Sequence, residues 1–280
     1  MAHDQAHDEA LDQAVDQALD QALDQARDGA SGPAGEPAPA HRRVVITAAG
    51  RDFGRTLALR FADRGDEVYL SARTLEAAEG VRAEIIAQGH DAGRVHAFAC
   101  DLTDPASVRA FATGVAARTG HIDVLVNNGS RYQHGTDLLS ASDEDVVETL
   151  ASGATGTVLA TKAFLPLLLN SARPDIVTMV SGCGEAGNDR SDAHDAFYAA
   201  KNAQAGFTEI LSRRLRDRGV RVISLYPPDF DNHDPLSPAW EEAPRTAKDP
   251  LTAQSLVDCV FFAVGQPRDC FIKSFYFEQV

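Results

Sequence analysis

Six times over, a short run of β-branched and apolar residues in this chain gives way to a longer stretch with helical spacing, and that alternation allows few folds. The strand-like runs are RVVIT (43–47), EVYLS (67–71), RVHAFAC (94–100), IDVLVN (122–127), DIVTMV (175–180), VRVISLY (220–226) and CFIKSFYF (270–277). Between them, residues 54–64, 75–88, 105–118, 143–170, 197–217 and 252–264 read as amphipathic helices. A crossover long enough to hold a helix returns the chain parallel to the strand it left, and right-handed crossovers cover both sheet faces. The expectation is an α/β chain with a single doubly wound Rossmann-type domain over 41–280, built on a seven-stranded parallel sheet.

The first forty residues follow a different rule. They repeat a four-residue unit (LDQA, VDQA, LDQA) and carry nine acidic groups against one basic, so about 8 of the 15 net negative charges sit there. Like charges four apart weaken an isolated helix. Residues 1–40 are therefore expected to be a low-complexity acidic tail and linker, disordered or weakly helical. The remaining body is still negative, which argues against nucleic acid and anionic lipid as partners. Cys100, Cys183, Cys259 and Cys270 show no CxxC or disulfide-like spacing, and no basic n-region precedes an apolar segment at the start. Both point to the cytoplasm. The apolar stretch Ala163 to Leu169 is too short to span a bilayer.

TAAGRDFGR, Thr47 to Arg55, joins the first strand to the first helix. A turn of small residues there lets backbone amides approach a pyrophosphate at a helix N-terminus, where the dipole favours negative charge. The second strand ends in SART, with no acidic residue to bind ribose hydroxyls; Arg73, with Arg51 in the turn, suits a 2′-phosphate instead. Both features point to NADP (NADPH) as the cofactor. No ligand-like spacing of histidines suggests a metal.

The turn resembles that of the short-chain dehydrogenase/reductase family, which reads TGxxxGxG, and the resemblance covers about residues 42–280. Thr47, Gly50 and Gly54 fit; Ala48 and Asp52 stand where glycine is usual, and Asp52 is expected to cap the helix. Phe53 in the turn is counted with the cofactor site. CDLTD (100–104) places Asp101 and Leu102 after the third strand, where the family holds adenine, and NNGS (127–130) stands for NNAG, with Asn127 and Gly129 on the adenosine side. Pro227 in YPPDFDN matches the family's PG motif. The loop 231–250, with Trp240, is expected to fold over substrate.

The family's chemistry implies a serine that orients a carbonyl, a tyrosine that protonates it and a lysine that lowers the phenol pKa and holds ribose. Ser181 and Lys201 match. Four residues before Lys201 stands Phe197, not tyrosine; Tyr198, three before, is the expected acid. The family's helix asparagine is replaced by Gly153. Cys183 reads as a wall residue and His194 as a solvated loop histidine. The implied function is an NADPH-dependent oxidoreductase that interconverts a carbonyl and an alcohol on a small molecule. Phe197 and Gly153 leave open a non-redox enzyme (cyclase, isomerase or dehydratase) or a non-catalytic NADP-binding protein on the same scaffold. The family also implies a homodimer or homotetramer formed through the helices at 143–170 and 197–217.

Overall fold

The computed structural model describes residues 41–278; the acidic repeat lies outside the described residues. Strands β1 (Arg43–Ile46), β2 (Glu67–Ala72), β3 (Val95–Ala99), β4 (Val124–Asn127), β5 (Asp175–Met179), β6 (Arg221–Tyr226) and β7 (Ser274–Tyr276) form one sheet in the order β3-β2-β1-β4-β5-β6-β7. Every pairing in it is parallel. The doubly wound architecture expected from the alternation is therefore present.

Side chains alternate across each strand, so the sheet feeds two cores. Val44, Ile46, Val68, Leu70, Val126 and Ile223 pack against helices α1 (Asp52–Asp63), α2 (Leu75–Ala87) and, late in the chain, the helix Ala253–Gly265. On the opposite face Val45, Tyr69, Leu125, Ile176 and Val222 meet α3 (Pro105–Ala116) and the apolar part of the long helical run at 143–169.

That run comprises α4 (Asp143–Leu150), a π-helical segment Ala151–Thr155 and α5 (Gly156–Leu169). Its length and apolarity would suffice to cross a membrane, which the short stretch Ala163 to Leu169 did not suggest. Here, however, Ala160, Phe164, Leu167 and Leu168 lie in the second core, so it is a core helix of the sheet. Helices α6 (Asp195–Arg214), the short α7 (Pro238–Glu242) and α8 (Ala253–Gly265) complete the set.

One buried ion pair fastens the far edge. On neighbouring strands, the Arg221 guanidinium forks onto Asp175 at 2.8 and 2.7 Å while also donating to the Cys270 carbonyl at 2.8 Å. Arg268 adds a bond to the same carboxylate at 2.6 Å. Asp175 is 1% exposed, so its removal strands Arg221 in a low-dielectric interior. Asp175→Ala is expected to cost about 3–5 kcal/mol in urea unfolding, whereas Asp63→Ala, a surface change, is expected to cost under about 1 kcal/mol.

Candidate active site

In an open parallel sheet the crevice lies beyond the strand C-termini where the strand order reverses, here between β1 and β4. The Thr47 hydroxyl closes the base of this crevice. It donates to the Val126 carbonyl at 3.2 Å and accepts from the Asn128 and Gly129 amides at 3.1 and 3.3 Å. Above it the turn holds a glycine-type backbone without all of the glycines: Ala48 has φ 52° and Asp52 φ 49°. Both positions are conformationally strained for a residue with a Cβ. The remaining glycines are needed sterically. A Cβ on Gly50 would come within 2.7 Å of the Ala72 methyl, and one on Gly54 would run into the Ala48 carbonyl.

Asp52 does not cap α1. Arg51 is the N-cap residue and makes no side-chain cap bond; the Asp52 carboxylate instead turns out to Arg51 at 3.4 Å. Its left-handed backbone carries that carboxylate away from the amides it was expected to satisfy. An α-helix leaves its first amides without internal partners, so an uncapped α1 start fits an anion. The Arg51 and Arg73 side chains are 88% and 74% exposed beside the crevice, Arg73 making a 3.5 Å contact with Glu148. These residues fit a phosphorylated dinucleotide.

On the adenosine side, Asp101 accepts from the Thr103 amide and hydroxyl at 2.9 and 2.7 Å. Leu102 is wedged against Gly129 and Gly156. Asn127 points into the protein and donates to Thr161 at 2.9 Å. Its neighbour Asn128 faces the cleft and bonds back to the Ala48 carbonyl at 3.2 Å. The sequence expectation puts Asn127 on the adenosine side; Asn128, the other half of the doubled asparagine, is the one that lines the cleft.

At the chemical end lies a cleft of about 190 Å³ in which Ser181, Lys201, Phe53 and Pro227 meet Phe197 and Tyr132. Ser181 has φ 80°, a region that side chains rarely adopt, and its amide is fixed to the Leu225 carbonyl at 3.1 Å. Lys201 is buried, donating to the Met179 carbonyl at 2.8 Å and to Gln204 Oε1 at 3.0 Å. Gln204 in turn donates to the Gly153 carbonyl and the Thr157 hydroxyl, both at 2.8 Å. Gly153 lies in the π-helical segment, and a Cβ there would sit 2.7 Å from the Ser130 hydroxyl. Ser130 thus occupies the space that a side chain at 153 would need.

Phe197 lines the cleft, 5.2 Å from Lys201 Nζ. Tyr198 does not line it: its hydroxyl accepts from the Ser191 amide at 3.1 Å and donates to the Ser191 carbonyl at 3.3 Å, beside Cys183 and Ala193. His194 is no solvated loop residue. Fully buried, it caps α6 by accepting the Ala196 amide at its Nδ1, 3.1 Å away. Trp240 does not reach the cleft either. It is buried in the first core under the Arg60 guanidinium, 4.6 Å from its ring, so the loop carrying it is docked on α1. A cation–π contact and core burial outweigh the exposed position expected of a lid.

The sequence matches the short chain dehydrogenase family over residues 42–237. The chain belongs to the short-chain dehydrogenase/reductase family. D-threitol dehydrogenase of Mycolicibacterium smegmatis is 34% identical over 184 residues, covering 65% of this chain and 68% of that protein. A 3-oxoacyl-[acyl-carrier-protein] reductase of Synechocystis is 33% identical over 184 residues, 65% of this chain and 72% of its own. A metagenomic short-chain oxidoreductase solved in complex with NADP superposes with a TM-score of 0.69 at 28% identity, over 85% of this chain and 97% of that one. This short-chain dehydrogenase/reductase is an oxidoreductase of a family that binds NAD(P).

Burial pushes the Lys201 ammonium down from 10.5 to about 7, the nearby Cys183 acting weakly the other way. Between those values the unfolded chain binds a proton that the folded chain does not, so stability rises with pH across the window. Unfolding midpoints measured from pH 7 to 10 should rise, and Lys201→Met should flatten that slope; an unchanged slope would show that Lys201 is not the group responsible.

Proposed function

We propose that this enzyme is an NADPH-dependent oxidoreductase that interconverts a carbonyl and an alcohol on a small molecule. The observation that carries the reading is the convergence of Ser181 and the buried Lys201 on one cleft beside the uncapped start of α1. The turn at Gly50 and Gly54, with Phe53 packed behind it, would hold the pyrophosphate; Arg51 and Arg73 would take the 2′-phosphate. Asp101, Leu102, Asn127 and Gly129 would line the adenosine side, with Thr47 bracing the crevice and Pro227 beside the nicotinamide. The binding of NADP by the metagenomic relative supports this choice.

When bound, NADPH supplies a hydride to the carbonyl carbon. The Ser181 hydroxyl orients the carbonyl oxygen, and Lys201, released from its desolvation by ribose hydroxyls and phosphate charge, holds the ribose and favours ionisation of a nearby phenol. Phe53, Phe197 and Phe230 exclude water from the reacting atoms. Exposed Val147, Val158 and Ile210 on the helices at 143–169 and 195–214 support a homodimer or homotetramer through that face. Free thiols at all four cysteines support a cytoplasmic setting.

A second reading rests on Phe197 and Gly153: with no phenol at 197 and no side chain at 153, the scaffold would serve non-redox chemistry or binding alone. Titration with NADPH and NADH separates the cofactor question. Arg73→Ala should weaken NADPH about tenfold and leave NADH nearly unchanged, as expected for loss of one charge-assisted phosphate contact. Equal losses for both cofactors would overturn the NADPH preference. Absorbance loss with a panel of ketones and aldehydes then tests the chemistry, and NADPH binding without turnover on any of them would favour the second reading.

A further inference from the structure

Among the described residues lining the cleft, the phenol is carried by Tyr132, which sequence reasoning passed over. It lies just after β4, and its ring packs edge-on against Phe197 with centroids 5.0 Å apart. The chain fixes it from both sides. Before it, Arg131 pairs with Asp145 and Glu148, and its amide donates to Ser152 at 3.0 Å. After it, the Gln133 carbonyl accepts the His194 amide at 2.8 Å, Gly135 donates to the Asp192 carbonyl at 2.9 Å, and His134 bridges to Ala193. These bonds hold residues 131–135 against the segment that starts α6, leaving the Tyr132 ring over the residue before Tyr198 and beside Ser191. Tyr198, by contrast, has its hydroxyl committed twice to the Ser191 backbone.

We propose that Tyr132 is the proton donor for carbonyl reduction in this cleft, an assignment that rests on the carbonyl–alcohol reading above. The carbonyl carbon accepts hydride from NADPH, which is oxidised to NADP⁺. As the new C–H bond forms, the carbonyl π pair moves onto oxygen and takes the phenol proton, the Tyr132 O–H bond breaking. The phenolate regains its proton from water, for which the 47% exposure of Tyr132 at the rim is suited. Ser181, just past the C-terminal end of the neighbouring strand β5, orients the same oxygen. Burial pushes the Tyr132 phenol up and the Ser191 hydroxyl opposes that rise, so an added cation such as Lys201 in its charged form would be needed to bring it toward neutrality. In the oxidising direction the same phenolate would accept the alcohol proton.

The test compares wild type, Tyr132→Phe and Tyr198→Phe in three measurements: NADPH affinity by fluorescence, kcat with the best ketone of the panel, and binding of benzamide to the cofactor-free protein by calorimetry. Benzamide offers a carbonyl oxygen that hydride does not reduce, so it reads the phenol's hydrogen bond without turnover. Tyr132→Phe should lower kcat at least about 100-fold and weaken benzamide about three- to tenfold, with NADPH affinity held within about twofold. Turnover and benzamide binding that survive in Tyr132→Phe, or that fall in Tyr198→Phe instead, would overturn the assignment alone. Wild type that binds NADPH yet reduces no carbonyl would overturn the redox reading and the assignment with it.

Discussion

A single buried hydroxyl holds the working end of this protein together. Thr47, the residue after β1, ties that strand's end to the end of β4 and the residues after it through one bond given and two received. Those strands are the pair at which the sheet changes direction, so the crevice width depends on that junction. The segment leaving β1 makes the phosphate-type turn, and the segment leaving β4 carries Asn128, Ser130, Arg131 and Tyr132 toward the chemistry. With that anchor in place, short tethers suffice to position the rest.

The cleft shows how a family scaffold is rebuilt piece by piece. Gly153 has no side chain, and the Ser130 hydroxyl fills the neighbouring space; Gln204 runs from Lys201 to the Gly153 carbonyl and so ties the lysine to the long helix. An aromatic ring at 197 replaces a phenol, and another aromatic, Tyr132, leans on it from across the cleft. The turn substitutions obey the same logic. Ala48 and Asp52 retain a backbone that glycine adopts freely, at an energetic cost, while the Asn128 amide holds the Ala48 carbonyl and Gly50 and Gly54 keep the turn close to Ala72 and Asn128.

Much of this was legible in the chain itself. Short β-branched, apolar runs between helical stretches specify the seven strands, because parallel strands buried on both faces must be apolar nearly throughout. Ser181 and Lys201, which the structure brings into one cleft, could be singled out because each stands at a fixed distance from a strand end or a helix start. What escaped was everything decided by tertiary contact. Whether Asn127 or Asn128 faces the cleft depends on strand pleat at its last residue. His194 reads as loop until α6 begins one residue later, and Trp240 reads as lid until Arg60 is seen to cover it. Tyr132 is invisible in sequence because loop 131–135 acquires its place by pairing with residues about sixty positions away and through the contacts of Arg131 with the long helical run.

The π-helical segment Ala151–Thr155 inserts about one residue beyond a regular turn, which offsets the helix on either side by about 100° of phase. The two halves consequently answer to different neighbours. The N-terminal half turns Asp145 and Glu148 to Arg131, beside the rim of the cleft, while the C-terminal half turns Ala160 and Phe164 to the sheet. One continuous helical run thereby supplies both the charged partners of the cleft's rim and the apolar wedge of the core beneath it.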